Sequence, residues 1–313
     1  MATDLFVDRG IATILGAVGL IVLGAAWKSR SGRLEPFAPI GWLLTGFYFF
    51  NETPFYLAKE DPVLTLMSAA CLPGAFAIAM WERKENAEHQ EKALRWFRGA
   101  IFAAGFPYLL IAHVPWLNVL AIWFVAWQSG LFLQWSGAGE IQLGETYVQY
   151  ADGSTVEWSA WEGNRWFLSE EMSEYSFSTE LLGADGTSIG ISFVLACTAI
   201  QSMIIFVGAI SVLEVSWKMK FRALLIALPL IHILNIFRNA GLIWLQSVYV
   251  DWRYLGLSIF EFGHAYASRV VSLGAMFLLA LVLFDMLPQM HRHVLTLLRP
   301  LGLSQDKHQS KRS

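Results

Sequence analysis

Four residues that could do chemistry together lie in apolar segments of the C-terminal half of the chain. They are Cys197, Arg238, His264 and Arg269. Ionisable side chains are costly inside a membrane helix, and there they usually mark a functional site. A guanidinium stabilises a thiolate, and a nearby donor stabilises the oxyanion that forms when a thiolate attacks a carbonyl. These residue types therefore predict acyl transfer by a cysteine nucleophile at the membrane face.

Amide and hydroxyl side chains accompany these four residues. Cys197 and Gln201 are four residues apart, so they share a face of the helix predicted over 189 to 212. Asn235, Arg238 and Asn239 share a face of the next predicted helix for the same reason. The supporting polar layer is predicted to consist of Thr198, Gln201, Asn235 and Asn239.

Each candidate also has a simpler interpretation. A cysteine in an apolar helix is often a small packing residue, which applies to Cys71 and, taken alone, to Cys197. Arg269 lies near a helix end and could snorkel to the lipid headgroups. His264 could be an interfacial histidine without a task. Spacing alone leaves these alternatives open.

The composition requires a membrane to position these residues. Of the 313 residues, 56% are hydrophobic and 15% are charged, and the mean hydropathy is +0.48. A soluble domain carries roughly 25% charged residues, so a cytosolic enzyme, a nucleic-acid binder and a disordered scaffold are excluded. The net charge of -3 does not indicate any class of binding partner. The two cysteines are too few for a disulfide framework, and they do not have metal-ligand spacing.

Apolar stretches near the roughly 20 residues that cross a bilayer are frequent. The predicted fold class is an all-α polytopic membrane protein with about seven to eight transmembrane helices and a small, partly β extracytoplasmic segment. The candidate stretches are 11 to 27, 37 to 58, 62 to 81, 99 to 115, 116 to 135, 189 to 212, 223 to 245 and 264 to 287.

Charge distribution predicts which side each loop occupies. Sixteen of the 22 basic residues cluster at 28 to 36, 82 to 98, 213 to 222 and after 288, which marks these segments as cytoplasmic. The segment 136 to 188 has ten acidic residues and one base, Arg165, and is predicted to lie outside.

If the stretches 99 to 115 and 116 to 135 both crossed the membrane, the acidic segment and the basic loop 213 to 222 would lie on the wrong sides. Only one of the two stretches is therefore predicted to cross. The second contains Trp123, Trp127 and Trp135, which are typical of a helix that lies at the outer interface or re-enters from it. The prediction is therefore seven crossings in the cell membrane, with the N-terminus outside and the C-terminus cytoplasmic. At about 1.5 Å per residue, Cys197, Arg238 and Arg269 then lie roughly 8 to 12 Å below the outer boundary.

The predicted organisation has five parts. An Asp-Gly turn at Asp152-Gly153 predicts a hairpin between 145 to 150 and 154 to 158, within the external segment. Polar residues from Ser304 onward predict a disordered end. The parts are three N-terminal spans in 1–98, a spanning and an interfacial or re-entrant helix in 99–135, the acidic segment 136–188, a catalytic three-helix region in 189–290 and a basic tail in 291–313.

Three sequence blocks resemble those of a known family. They are Leu-Ala-Cys-Thr-Ala-Ile-Gln-Ser at 195–202, Leu-Asn-Ile-Phe-Arg-Asn at 234–239 and His-Ala-Tyr-Ala-Ser-Arg-Val at 264–270. In this order on successive helices they are similar to the signature blocks of the exosortase/archaeosortase family, and most similar to its archaeosortase A branch. The resemblance covers about 95 to 290 well, and the first three helices only in general character.

The resemblance implies a membrane cysteine transpeptidase without a cofactor. Such an enzyme cleaves secreted proteins that carry a C-terminal sorting signal, which consists of a short Pro-Gly-Phe type motif, a hydrophobic helix and a basic tail, and joins the new C-terminus to a membrane lipid. Cys197 is then the nucleophile and Arg238 the second signature residue. Exosortases place a histidine in the third block, which matches His264, whereas the archaeosortase pattern matches Arg269. The resemblance favours Arg269 as the third essential residue and His264 as proton donor to the leaving amine.

A second class of function would use the polar side chains for binding and not for catalysis. A transporter or lipid-binding membrane protein could use Arg238, Arg269 and Asn235 to coordinate an anionic headgroup. Replacement of Cys197 would then have almost no effect, whereas replacement of the arginines would abolish function. A structural or sensory membrane protein would explain neither buried arginine.

Overall fold

The structure is a computed structural model that describes residues 6–29, 32–170, 172–254 and 256–301. The predicted cytoplasmic markers Arg30, Lys307, Lys311 and Arg312, and the predicted disordered end from Ser304, lie outside the described residues. The chain divides into two compact units. The first comprises 1–107, 205–221 and 284–313, and the second comprises 108–204 and 222–283.

Long apolar helices dominate the described part of the chain. Five of them there are long and apolar enough to cross a bilayer, which is typical of a multi-pass membrane protein. They are α1 (Arg9–Lys28), α4 (Pro62–Glu82), α6 (Pro115–Ser136), α8 (Trp217–Val248) and α10 (Ser268–Met286).

The remaining helices are shorter or more polar. The predicted span 37 to 58 is two helices, α2 (Ala38–Phe50) and α3 (Thr53–Ala58), because residues 51–52 form a turn. The predicted span 99 to 115 lies mostly within a longer helix, α5 (Glu88–His113), whose first turns are charged. The others are α7 (Ile200–Ser211), α9 (Ile259–Phe262) and α11 (Pro288–Leu298).

Small residues allow the helices of the first unit to pack closely. A Cβ atom at Gly46 of α2 would overlap Ala75 of α4, so only glycine fits there. Leu23, Trp42 and Ala79 are almost completely buried at the same junction. The Trp42 indole stacks on Phe97 of α5, with ring centroids 4.9 Å apart. These contacts place the ends of α4 and α5 beside each other.

The second unit contains an antiparallel sheet in the order β2-β1-β3-β4. The predicted hairpin is confirmed, because Val148 pairs with Val156 and the Asp152 carboxylate accepts from the backbone N–H of Ser154 at 2.9 Å. The predicted small β segment outside the helices is therefore present. The strands are β1 (Ile141–Tyr150), β2 (Thr155–Glu157), β3 (Met172–Gly183) and β4 (Ser188–Phe193).

Helix α6 packs against this sheet and against the connection between β2 and β3. Near its start, the Trp116 N–H donates to the carbonyl of Arg165 in that connection at 3.1 Å. In its middle, the Trp123 indole donates to Oγ1 of Thr146 in β1 at 2.7 Å. Near its end, Gly130 lies against the carbonyl of Ile141 in β1. The contacts are thus spread over most of a helix about 33 Å long.

The two sides of this assembly differ in polarity. Between the sheet and α6, the buried core includes Val148, Phe177 and Ile191 of the sheet. The opposite face of α6 exposes a stripe of large apolar side chains at helical spacing, and the opposite face of the sheet carries mainly polar ones. The stripe consists of Leu117, Leu120, Phe124 and Trp127.

The predicted helix over 189 to 212 is wrong in almost its first half. Residues Ser188–Phe193 form β4, a 3-10 turn covers Leu195–Thr198, and the helix begins at Ile200. The strand satisfies an alternation in which Ile189, Ile191 and Phe193 point to the core side while serine and glycine intervene. A hydropathy window averages over this period of two and does not separate the strand from the helix that follows it.

The last long helix has a composite beginning. A two-stranded hairpin, β5 (Arg253–Tyr254) with β6 (Leu257–Ser258), leads into α9, which a capping box between Ser258 and Glu261 starts. Hydrogen bonds from Ser258 hold the pKa of the Glu261 carboxyl below its usual value. Between α9 and α10, Gly263–Ala267 form one turn of π-helix.

Candidate active site

Cys197 lies on a 3-10 turn directly before α7. Its N–H donates to the carbonyl of Val194 at 2.9 Å, and Ala199 adopts a left-handed backbone conformation with φ of 56° before the helix begins. This conformation costs an alanine about 1 kcal/mol or more, and such strain persists only where surrounding contacts hold it. The predicted shared helical face of Cys197 and Gln201 is therefore wrong, because only Gln201 is in the helix.

Two asparagines of α8 fix the cysteine turn. The side-chain amides of Asn235 and Asn239 both donate to the backbone carbonyl of Cys197, at 2.8 and 2.9 Å. Both asparagines are at least nine-tenths buried. Their spacing of four residues puts them on one face of α8, as predicted. They bind the backbone carbonyl of the nucleophile candidate and not its thiol.

Arg238 joins this face of α8 to the third sequence block. Its guanidinium donates to Oδ1 of Asn239 at 3.3 Å and lies 3.3 Å from Nδ1 of His264. A guanidinium can only donate, so Nδ1 accepts, and in this arrangement the imidazole is neutral with its proton on Nε2. Asn239, which contacts Arg238, also binds the carbonyl of Cys197. Hydrogen bonds thus connect the cysteine turn, Arg238 and His264, which come from three separate segments.

The π-helical turn brings His264 and Arg269 to the same side. The residues are five apart, which would separate them by about 140° around an α-helix. In the π turn the hydrogen bonds run from residue i to i+5, as from the Ser268 N–H to the Gly263 carbonyl. Residues five apart then lie one above the other.

The contacts of Thr198 and Gln201 differ from those expected of a polar layer around the four candidate residues. The Thr198 hydroxyl donates to the carbonyl of Leu195 at 2.7 Å and accepts from the N–H of Ile200 at 3.3 Å, so it shapes the turn and caps α7. The Gln201 amide donates to the hydroxyl of Tyr108 in α5. Tyr108 was not predicted; a phenol among apolar residues of a span is the signal that could have identified it.

The arrangement provides the parts of a nucleophilic site. The Arg238 guanidinium, which contacts Asn239 and His264, supplies a positive charge on the face of α8 that binds the cysteine turn. Asn235 and Asn239 fix the turn, and the imidazole of His264 can exchange a proton. No group of three or more metal-ligating side chains occurs in the part of the chain that the structure describes.

The charge of Arg238 should be measurable in the reactivity of Cys197. In a Cys71→Ala background we expect Arg238→Gln to slow alkylation of Cys197 by about tenfold, because only the thiolate reacts and one nearby cation is lost. Alkylation with a small maleimide, followed by mass spectrometry, measures the rate. Arg222→Gln, which removes a cation near the other end of α8, should leave it unchanged. Equal rates in wild type and Arg238→Gln would contradict this electrostatic coupling.

Comparison with known proteins identifies no relative of this chain. No family model matches the chain, and neither a curated protein nor a solved structure matches it.

Proposed function

We propose that the protein is a membrane-embedded cysteine transpeptidase of the archaeosortase type. It cleaves the C-terminal sorting signal of secreted or surface proteins through a thioester on Cys197 and transfers the new C-terminus to a membrane lipid. The observation that carries the proposal is the pair of bonds from Asn235 and Asn239 to the Cys197 carbonyl. They hold the turn of the first sequence block against the helix of the second block, whose Arg238 contacts His264 of the third block.

The first half of the proposed reaction forms the thioester. Arg238 exchanges His264 for the carbonyl oxygen of the substrate, where negative charge develops, and this frees Nδ1 of His264. His264 takes the thiol proton as the Cys197 sulfur bonds to the scissile carbonyl carbon. The carbon–nitrogen bond then breaks, and His264 gives this proton to the leaving amine. Arg269 holds positive charge beside the imidazole and the oxyanion.

The second half reverses the proton path. The nucleophile of a lipid headgroup loses its proton to His264 as it attacks the thioester. The carbon–sulfur bond breaks and the Cys197 thiol takes the proton back. Asn235 and Asn239 keep the cysteine carbonyl fixed throughout, so the sulfur returns to the same place for the next substrate.

The membrane arrangement proposed for this reaction has seven crossings, with the N-terminus outside and the C-terminus inside. If the basic loop at 213–222 lies at the inner boundary, the 12 residues of α7 rise about 18 Å from it. The apolar core of a bilayer is about 30 Å thick, so Cys197 then lies about 12 Å below the outer boundary. A lipid headgroup of the outer leaflet and a substrate helix in the membrane can both reach this depth.

Helix α6 lies along the outer interface in this arrangement. One face of α6 contacts the connection between β2 and β3 and strand β1, and the opposite face carries the apolar stripe from Leu117 to Trp127. A dye attached singly at positions 117 and 127 measures the depth of each by lipid-bound quenchers. We expect equal depths within a few ångströms, whereas a crossing helix would separate them by about 15 Å. A separation of that size would contradict the interfacial placement of α6 and the count of seven crossings that depends on it.

Trapping the acyl-enzyme tests the proposed chemistry directly. In proteoliposomes that contain the protein and a peptide with motif, apolar helix and basic tail, hydroxylamine should intercept the thioester. The shortened peptide should then carry a C-terminal hydroxamate, which mass spectrometry detects.

The matched control is Cys197→Ser, which keeps the size of the side chain. It should give no hydroxamate. A transporter or headgroup-binding protein predicts no peptide cleavage in either form, and cleavage without a hydroxamate in wild type would contradict a thioester.

A further inference from the structure

A polar cavity lies in the first unit, whereas the cysteine site lies in the second unit. It has a volume of about 560 Å³ and is bounded by the segment before α2, the segment between α4 and α5 and the first turns of α5. Its charged lining consists of three bases and four carboxylates. They are Arg83, Lys84 and Arg98, and Glu35, Glu82, Glu85 and Glu91.

Arg98 is the unusual member of this lining. Its side chain is only 2% exposed, and its Nε lies 3.3 Å from Oε1 of Glu82, whose side chain is 7% exposed. The Trp42 indole donates to the same oxygen at 3.1 Å. Among the described residues, however, neither Nε nor Nη1 of Arg98 has a hydrogen-bond partner. A buried guanidinium with unsatisfied donors at a cavity is costly unless a ligand accepts from it.

The mixture of charges restricts the ligand. A simple anion would satisfy Arg98, but it would also face the carboxylates of Glu35, Glu85 and Glu91. A simple cation would satisfy these carboxylates and leave the buried guanidinium donors unpaired. A ligand with a phosphate and an ammonium a few ångströms apart satisfies both, because phosphate accepts from arginine and an ammonium donates to carboxylates.

We propose that this cavity binds a phosphate group joined to a primary ammonium, the chemistry of an amino-phospholipid headgroup. The phosphate pairs with Arg98, helped by Arg83 and Lys84, and the ammonium pairs with the glutamates of the rim. The cavity lies where α4 ends and α5 begins, next to the end of a helix that is long and apolar enough to cross a bilayer. A headgroup is expected at that level, with its acyl chains along the apolar helix surfaces.

Lipid selectivity tests the ammonium half of the proposal. The full protein is purified in detergent, and retained lipids are counted by native mass spectrometry after addition of phosphatidylethanolamine, phosphatidylglycerol or phosphatidylcholine. We expect one phosphatidylethanolamine to be retained at least tenfold better than either other lipid, because only it combines phosphate with an ammonium that donates hydrogen bonds. Equal retention of the three lipids would overturn the proposal.

Variants test the named residues without leaving a buried charge unpaired. Glu82→Gln with Arg98→Gln removes both members of the buried pair and should lower retention of phosphatidylethanolamine at least tenfold. Glu85→Gln with Glu91→Gln, at the rim, should bring its retention down to that of phosphatidylglycerol. Lys92→Gln is the matched control, since Lys92 is exposed on α5 outside the cavity lining and pairs with Glu88. If the rim variant behaves like this control, the proposal fails.

The free headgroup identifies the source of the ligand. Glycerophosphoethanolamine has the same phosphate and ammonium without acyl chains. Competition with phosphatidylethanolamine at similar concentrations would support a site for the soluble compound, and absence of competition together with selective lipid retention would support the lipid. If the protein bound neither phosphatidylethanolamine nor glycerophosphoethanolamine selectively, the proposed site would be refuted.

Discussion

Cys197→Ala should abolish processing of the sorting signal, lowering its rate by about 10⁴-fold or more, as loss of a catalytic nucleophile does. The reason is that no other group in the cluster forms the acyl-enzyme in the proposed mechanism, in which Arg238 and His264 act on charge and protons. Asn235 and Asn239 bind the backbone of the cysteine. The measurement is the fraction of substrate that keeps its C-terminal helix in cells, by mass or by gel mobility.

Cys71→Ala is the matched control for this prediction. Cys71 lies within α4 in the first unit, where its thiol contacts the Met67 carbonyl at 3.2 Å, and its loss should leave processing unchanged. The yield and thermal stability of both variants should equal those of wild type, because an alanine at either position removes only one sulfur. Normal processing by a folded Cys197→Ala protein would refute the cysteine mechanism.

Arg98→Met should destabilise the protein by about 3–5 kcal/mol, the effect typical of removing one member of a buried ion pair. It leaves the Glu82 carboxylate, with its side chain 7% exposed, without a cation. The Trp42 indole remains as a donor but supplies no charge. Equilibrium unfolding in mixed micelles measures the free energy.

The double variant distinguishes this cause from simple loss of packing. Arg98→Met with Glu82→Gln leaves no buried charge and should recover about 2 kcal/mol or more of the loss. Lys92→Gln, which breaks the exposed pair with Glu88, should give no measurable change. Additive effects of the two single variants would show that the pair is not coupled.

The candidate cluster was predictable where it rests on helical periodicity. Asn235 and Asn239 are four residues apart, so any helix through them presents both to the same neighbour, and both bind Cys197. The apolar stretches also identified a polytopic membrane protein. These features depend on local spacing and composition, which the sequence contains.

Features that depend on partners distant in sequence were not predictable. The strand Ser188–Phe193 is short, and its partner in β3 rather than its own hydropathy makes it a strand. The π turn at Gly263–Ala267 has no signal in its residue types, yet it decides that His264 and Arg269 face the same way. The length of a hydrophobic stretch likewise does not show that α6 packs against a sheet.

The packing of α6 against the sheet has a consequence for biosynthesis. Ribosomes deliver the chain from its N-terminus, so residues 115–136 leave the ribosome before residues 141–193, which cover one side of the helix. During this interval the future inner face, with Val119, Ile122 and Ala126, must be shielded by lipid or by the insertion machinery. Mutations that slow folding of the sheet should therefore cause membrane misinsertion of a helix that they do not touch.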